Sequence, residues 1–508
     1  MTDKNTLLAE INQTGTLKSL PRWQFINGKK QAPHSGRFLE TIDPGSGRVF
    51  AEFPDGDAAD VDAAVAAANA SLQGVWGRTS PAERSRILLA IAAMVREHAD
   101  ELAVVESLDA GKRLSEAEWD IRSVVRTLEY YAGAADKLHG ISFPLSSDYS
   151  GHTVLEPAGV SAQIIPWNYP ISTLARGIAP ALAAGCAVVA KPAEQTPLTA
   201  LMLADLAHRA GLPDGVFNVV TGTGAKTGAP LVSHPGIHQI TFTGSVATGQ
   251  RIMQAAAENI TRLVLELGGK SPLVVLKDAA MDSALNGVMG AIFENAGQIC
   301  SAGSRLIIES SIRDQFLDRL VARARGLKLG HGLLSLDMGP VNSAAHLSKI
   351  AAMVDESRRK NTILCGGKVT DSAAQIDYDS RQGAGKNSKG YFFEPTIILA
   401  PDASDAIVQE EIFGPVLVVQ EAQDFDHAVK LANGTNFALA AGIYSADSRK
   451  THQFARQVDA GQVYVNEYFA GGIETPFGGN RRSGFGREKG MEALQNYCKI
   501  KSIVTRIG

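Results

Sequence analysis

The spacing of apolar and polar positions along this 508-residue chain changes character near residue 138. Before that point the repeat is helical. Ser80, Pro81 and Glu83 supply an N-cap, a proline at the first helical position and a capping-box carboxylate, and the apolar positions that follow predict an amphipathic helix to about Leu108. A second helical pattern runs from about Ser115 to Leu138, with Val124, Val125, Leu128, Tyr131 and Ala132 on one side. Beyond it come short, β-rich apolar runs at Gly159–Pro166, Cys186–Pro192, Val216–Gly222, Gln239–Ser245 and Arg262–Gly268. Thr196 and Pro197 open a helix between the second and third runs, and Gly211 closes it. Strands about 25 residues apart with helices between them predict βαβ units and a parallel sheet, which binds ligands at the carboxyl ends of its strands.

A second α/β segment begins near Lys270, with a strand at Pro272–Leu276, a helix around Ala284–Ala296 and further alternation to about Val465. The polar, glycine-bearing stretch 371–390 reads as a surface loop before a strand at Tyr391. The tail, Glu492–Val504, alternates as a strand does. A terminal strand needs a partner sheet, and another subunit could supply it.

Composition narrows the function classes. Hydrophobic residues make up 45% of the chain and charged residues 20%, with a formal net charge of -4. No basic block stands out, so neither a nucleic-acid nor an anionic-membrane partner is expected. Met1–Glu10 carries Asp3, Lys4 and Glu10 without an apolar core, unlike a secretory signal. Apolar runs such as Ile87–Val95 are too short to span a bilayer, and a cytoplasmic enzyme is expected. The four cysteines, Cys186, Cys300, Cys365 and Cys498, form no CxxC pair, so neither a metal site nor a disulfide framework is expected. By spacing alone each reads as a small buried hydrophobe.

Cys300 keeps distinctive company. It lies in Asn295-Ala296-Gly297-Gln298-Ile299-Cys300-Ser301, where Gly297 lets the backbone turn sharply after a helix. Glu266-Leu267-Gly268-Gly269-Lys270 sets a carboxylate at the end of a buried strand, where desolvation raises its pKa toward that of a general base. Alone, Glu266 reads equally as a salt-bridge partner or a cap. Pro166-Trp167-Asn168-Tyr169-Pro170 ends the first parallel strand and offers an amide to a developing oxyanion. Phe242-Thr243-Gly244-Ser245 runs from a strand into a helix N-terminus, a phosphate seat. Gly222, Gly224 and Gly228 do not complete the GxGxxG fingerprint, which argues against an ordinary Rossmann dehydrogenase.

In order and spacing these blocks resemble the aldehyde dehydrogenase superfamily, from about Asp43 to Val504. The most specific are Pro166–Pro170, Lys191 to Pro197, Phe242–Ser245, Glu266–Lys270, the Cys300 segment, Glu411–Pro415 and Pro476–Gly479. The resemblance implies an α/β fold in three parts. These are an NAD-binding domain (1–137 and 157–265), a catalytic domain (266–480) and an oligomerisation segment (138–156 and 481–508) that makes a homodimer or homotetramer. It implies that Cys300 attacks an aldehyde, that Asn168 and the Cys300 N–H hold the oxyanion, and that Glu266 activates water to hydrolyse the thioester.

By the same resemblance Lys191 and Glu194 hold the adenosine ribose, favouring NAD over NADP, and Trp167 and Ser245 meet the pyrophosphate. Glu411 and Phe413 meet the nicotinamide end. Ile164, Ile165, Pro166, Gly224, Gly228, Phe242, Gly244, Thr248 and Leu267 complete the expected cofactor groove. Tyr169, Arg176, Ile299, Ser301 and Tyr468 are the expected substrate contacts.

Two departures from the family pattern bear on this. Many members carry Trp-Lys where this chain has Arg176 and Gly177, and that lysine is associated with proton relay to the base; Glu488 or water could replace it. An arginine at the Arg176 position resembles the carboxylate-binding residue of succinic-semialdehyde dehydrogenases. Some aromatic aldehyde dehydrogenases also carry arginine there, and a neighbouring carboxylate could equally pin it. Gly471 and Gly472 stand where relatives place bulk, leaving room for a larger aldehyde beside Tyr169, Tyr468 and Phe469. Three readings follow: a general aldehyde dehydrogenase, one for carboxylated or aromatic aldehydes, and a catalytically idle binding relative.

Overall fold

Burial of two continuous apolar sheets organises the molecule. The computed structural model describes residues 3–376 and 389–508. The first sheet contains five parallel strands, Val160–Ile164, Ala187–Lys191, Phe217–Val219, Gln239–Thr243 and Arg262–Glu266. The first two and the fourth are five-residue runs rich in β-branched or small residues, and the fifth is Arg-Leu-Val-Leu-Glu. Both faces of Ala187–Lys191 are buried, as expected of a strand covered by helices on each side.

In space the five run third, second, first, fourth, fifth, so the order reverses between Val160–Ile164 and Gln239–Thr243. A crevice opens where connections leave such a reversal in opposite directions. Both strands end there in the blocks singled out above, Ile165–Asn168 and Gly244–Ser245. The helix Pro170–Ala184 starts directly after the first, with Pro170 in its first turn, and is buried along nearly its whole length.

The second sheet has seven strands, in the order Thr362–Cys365, Thr396–Leu399, Val416–Ala422, Arg305–Glu309, Pro272–Val275, Ala440–Tyr444 and Gln462–Val465. All pairs but the first are parallel. Its apolar core is separate from those of the first sheet, and Ile299, Tyr464 and Tyr468 belong to it. The two sheets meet where Glu266 ends the last parallel strand of one and Pro272 begins a central strand of the other.

Several expectations needed correction. The helix from Ser80 breaks at His98 into Pro81–Glu97 and Ala99–Ala110. His98 leaves the helical region (φ -101°, ψ 20°), and its ring Nδ1 lies 2.9 Å from the Met94 carbonyl. Thr196 does not cap the following helix, Leu198–Arg209. The Leu198 N–H donates instead to Asp109 Oδ2 at 3.0 Å, a cap supplied by a distant helix. The helix expected over Ala284–Ala296 is Met281–Phe293. The N-terminal segment forms a helix, Lys4–Thr14, capped by Asp3, which the apolar spacing did not signal.

The strand expected at Tyr391 begins later, at Thr396, because Tyr391–Pro395 makes only one isolated bridge, Val369↔Phe393, and backbone bonds to Pro44 and Val341 rather than a ladder. The loop expected over 371–390 lies, for 377–388, outside the described residues. The C-terminal strand is Cys498–Arg506, and its partner comes from the same chain. It pairs antiparallel with Tyr149–Pro157 along its full length, from Cys498↔Pro157 to Arg506↔Tyr149. Ser142–Phe143 completes that three-stranded sheet, while Gly484–Phe485 joins the edge of the first sheet beside Glu266. Among the described residues, no helix is long and apolar enough to cross a membrane.

Candidate active site

A cavity of about 950 Å³ opens at the reversal point of the first sheet. Asn168, Glu266 and Cys300 all line it, as do all fifteen residues expected to meet the cofactor: Ile164, Ile165, Pro166, Trp167, Lys191, Glu194, Gly224, Gly228, Phe242, Gly244, Ser245, Thr248, Leu267, Glu411 and Phe413. They come from segments up to 249 residues apart (Ile164 to Phe413).

Cys300 is presented by an unusual turn. After Phe293 the backbone passes through three consecutive left-handed residues, Asn295 (φ 46°), Ala296 (φ 52°) and Gly297 (φ 72°). Only glycine adopts this region without strain, and a Cβ at Gly297 would overlap the Gly414 carbonyl. Two strained residues persist here because their surroundings fix them. The Asn295 N–H donates to Glu116 Oε1 at 2.8 Å, and Gln298 Nε2 donates to the Asn295 and Pro340 carbonyls. Gln298 Oε1 accepts from the Asn342 N–H at 2.8 Å. Cys300 is half-buried, whereas the other three cysteines are buried. Surrounding protein pushes its pKa up to about 12; Arg176 opposes that rise, and the carboxylates of Glu266, Glu411 and Glu488 add to it.

Asn168 is fixed from two sides. Its Nδ2 donates to the Gln298 carbonyl at 2.9 Å, and its own carbonyl accepts from Asn295 Nδ2 at 3.2 Å. A primary amide has two N–H groups, so one remains for an oxygen beside Cys300. Gly269 packs against the Cys300 carbonyl so closely that a Cβ there would overlap it. That contact accounts for the second glycine of the Glu266 block.

Glu266 is buried with both carboxylate oxygens unpartnered, and burial followed by the nearby Glu488 raises its pKa well above the ordinary value. Arg176 and Arg487 pull the other way. Arg176 Nε stands 3.5 Å from Glu488 Oε2, and Nη2 donates to Thr173 Oγ1 at 3.0 Å. Arg176 thus lies within ion-pair distance of a neighbouring carboxylate, one of the arrangements the sequence left open.

The rest of the cavity is chemically divided. Lys191, buried at a strand end, donates to the Pro192 carbonyl at 2.9 Å and lies 3.5 Å from the half-exposed Glu194. Burial lowers its pKa. Ser245 caps the helix Val246–Asn259, whose first turn carries the free N–H groups and positive dipole end that suit an anion. At Gly224 nothing lies near the Cβ position. A polar pair for a ribose, a helix N-terminus for phosphate and an apolar slot at Val232, Ile252 and Ala255 together fit a dinucleotide. At the other end Glu411 Oε1 accepts from the Gly269 N–H at 2.9 Å, and burial raises its pKa to about 7. Phe413 is left-handed (φ 61°) and stacks edge-on with Trp167 and His346.

Sequence reasoning missed part of this wall. His346 and Lys349, on the helix Ala344–Ser357, line the cavity, and His346 Nε2 lies 2.6 Å from the Phe413 carbonyl. No local pattern distinguishes them from a solvated helix face.

The expected substrate residues divide. Tyr169 is half-buried, with Lys112 Nζ 4.0 Å from its ring centre. Ile299 and Ser301 are buried in the chain flanking Cys300. Tyr468 is a core residue: it packs on Tyr464 and Phe469, and its hydroxyl donates to the Ser301 carbonyl at 2.9 Å. It braces the cysteine segment from behind. Gly471 answers a backbone need, since it is left-handed (φ 93°) and a Cβ there would lie 2.6 Å from Thr475 Oγ1. None of the expected substrate residues Tyr169, Arg176, Ile299, Ser301 and Tyr468 lines the cofactor-side cavity.

A doubly wound sheet whose reversal point opens into a groove shaped for a dinucleotide, with a thiol, an amide and a buried carboxylate on its wall, fits the class of nucleotide-dependent oxidoreductases. The chain belongs to the Aldehyde dehydrogenase family, whose sequence model matches residues 31–503. It is 40% identical over 490 residues to hydroxyisobutyraldehyde dehydrogenase of Mycolicibacterium austroafricanum, covering 96% of this chain and 94% of that protein. It is 41% identical over 497 residues to peroxisomal aminoaldehyde dehydrogenase 2 of Pisum sativum, covering 96% of each. Among solved structures it is similar to betaine aldehyde dehydrogenase of Staphylococcus aureus in complex with NAD+, with a TM-score of 0.93 and 35% identity over 99% of this chain and 98% of that one. Oxidation of an aldehyde is accordingly its reaction.

Proposed function

We propose that this chain oxidises an aldehyde to the free carboxylic acid, using NAD, with Cys300 as nucleophile, Asn168 as oxyanion donor and Glu266 as the base that hydrolyses the thioester. The observation that carries the reading is the meeting of those three groups in one cavity with every residue expected of a dinucleotide groove. Cys300 Sγ passes its proton to water and bonds to the aldehyde carbon as the C=O π bond opens onto oxygen. The spare Asn168 N–H and the Cys300 N–H take the negative charge that develops on oxygen. Bound NAD supplies the hydride acceptor that turns the adduct into a thioester on Cys300. Glu266, in its carboxylate form, takes a proton from water as that water attacks the thioester carbon; the C–S bond then breaks and Cys300 recovers its proton.

Glu194 favours NAD over NADP, since a carboxylate there accepts from ribose hydroxyls and repels a 2′-phosphate. Residues 1–137 and 157–265 form the cofactor part, 266–480 the catalytic part, and 138–156 with 481–508 an oligomerisation part. The exposed outer edge of the Cys498–Arg506 strand supports a homodimer or homotetramer. The absence of any basic or long apolar block in the sequence supports a cytoplasmic setting.

Single-turnover NADH formation by Cys300→Ala and Cys300→Ser proteins is the test. Loss of NADH formation with the fold intact by circular dichroism is the expected result, and turnover at the parent rate overturns the reading. A kcat/KM panel over aliphatic, aromatic and carboxylated aldehydes, with NAD and NADP, then ranks substrates.

A further inference from the structure

Behind Cys300 lies a buried polar cluster larger than one general base requires. Glu266 Oε1 and Oε2, Glu488 Oε2, Arg176 Nε and Gln163 Oε1 are all buried and all without a hydrogen-bond partner. Isolated unpaired atoms of this kind are rare in folded proteins, and a group of them marks a place where protons or water are handled. Four side chains from four segments build it. Arg176 lies one turn and a half along the helix that begins at Pro170, and Glu488 is held by reciprocal backbone bonds between Phe477 and Glu488, both 2.7 Å.

From this juxtaposition we propose that Arg176 is a positioning residue for hydrolysis: its guanidinium holds Glu488 beside Glu266, so that Glu266 gains and loses its proton within a charge-balanced cluster. The proposal rests on the reading of Glu266 as the base. Nη2 is fixed by its bond to Thr173 Oγ1, Nε faces Glu488 Oε2 at ion-pair distance without a hydrogen bond, and the Phe477 ring lies 5.7 Å from the guanidinium centre. Gly177 contributes by what it lacks. Any side chain there would overlap the Gln163 amide, which donates from Nε2 to Ser161 Oγ and Tyr497 OH and keeps its unpartnered oxygen against Gly177.

The charged and titratable groups acting on this cluster come from every element packed around it. Asp120 and Tyr131 stand on the helix Leu114–Ala134, Glu266 and Cys300 on the cavity wall, Arg487, Glu488 and Lys489 on the segment before Gly490, and Tyr497 just before the C-terminal strand. Two carboxylates facing one guanidinium cannot easily both be ionised once that cation is gone. Removing Arg176 therefore keeps Glu266 protonated to a higher pH, and removing the Glu488 charge has the opposite effect.

The experiment is the pH profile of steady-state kcat, with an uncharged and a carboxylated aldehyde, for the parent, Arg176→Leu, Arg176→Lys, Glu488→Gln and Glu266→Gln. The expected result for Arg176→Leu is an acidic limb moved upward by about one pH unit, an activity loss of about tenfold below the limb, with both aldehydes affected alike. Arg176→Lys keeps the limb in place, and Glu488→Gln moves it downward, which preserves the test if Arg176→Leu does not fold. An unmoved limb with KM raised for the carboxylated aldehyde alone overturns the proposal and returns Arg176 to substrate binding. If the limb survives in Glu266→Gln, the fault lies in the reading of Glu266. If Glu266→Gln abolishes it and neither Arg176→Leu nor Glu488→Gln shifts it, the positioning role itself is wrong.

Discussion

Replacing Glu266 by glutamine separates the two halves of the reaction. The exchange nearly conserves volume and breaks no protein hydrogen bond, because both carboxylate oxygens are buried without partners. It also has a defined effect on stability. Burial raises the pKa of Glu266 in the folded state, so its contribution is present below the unfolded carboxylate pKa and is lost as pH rises through the folded value. Glutamine carries no such loss, so the variant should be at least as stable as the parent at alkaline pH in thermal melts.

Cys300, Asn168 and the turn that presents them are untouched, so thioester formation proceeds. General-base assistance contributes about 10²–10⁴-fold, or roughly 2.7–5.4 kcal/mol of barrier, and that is the expected fall in the steady-state rate. Stopped-flow NADH absorbance should therefore show a burst of about one NADH per Cys300 followed by slow turnover, the signature of an accumulating acyl-enzyme. Steady-state turnover at the parent rate would refute the assignment. So would loss of the burst in a correctly folded variant, because Glu266 would then act before the thioester rather than after it.

Two further outcomes follow from the charges around the cavity. With the Cys300 pKa pushed up to about 12, alkylation of Cys300 by iodoacetamide in the cofactor-free protein should rise about tenfold per pH unit between roughly pH 7 and pH 10; a plateau below about pH 9, followed by peptide mass mapping, would contradict the burial argument. Exchange of the half-exposed Glu194 for glutamine should improve kcat/KM for NADP relative to NAD by about three- to tenfold, the scale of one partly solvated charge, and an unchanged ratio would remove Glu194 from the ribose site.

The sequence alone determined what depends on neighbouring residues. The five parallel strands, the Ser80 capping box and the glycine after the Met281–Phe293 helix are written in local backbone preferences and side-chain period. So was the phosphate seat at Phe242–Ser245, because strand ends and helix starts carry their own chemistry; the other groove residues, Lys191, Glu194, Glu411 and Phe413 among them, came from the resemblance. Resemblance added the roles, and the cavity gathered Asn168, Glu266 and Cys300 as those roles require.

What remained illegible depends on partners far away in the chain. The cap of the Leu198–Arg209 helix is Asp109, the strand paired with the tail is Tyr149–Pro157, and Tyr468 packs behind Cys300 through the Ser301 carbonyl. His346 reaches the cavity only because the helix Ala344–Ser357 folds over Phe413. Arg176 shows the division most sharply. Its charge was plain from the sequence, but a charge acts on whatever stands within a few ångströms, and only the packing of Glu488 against it directs that charge toward Glu266.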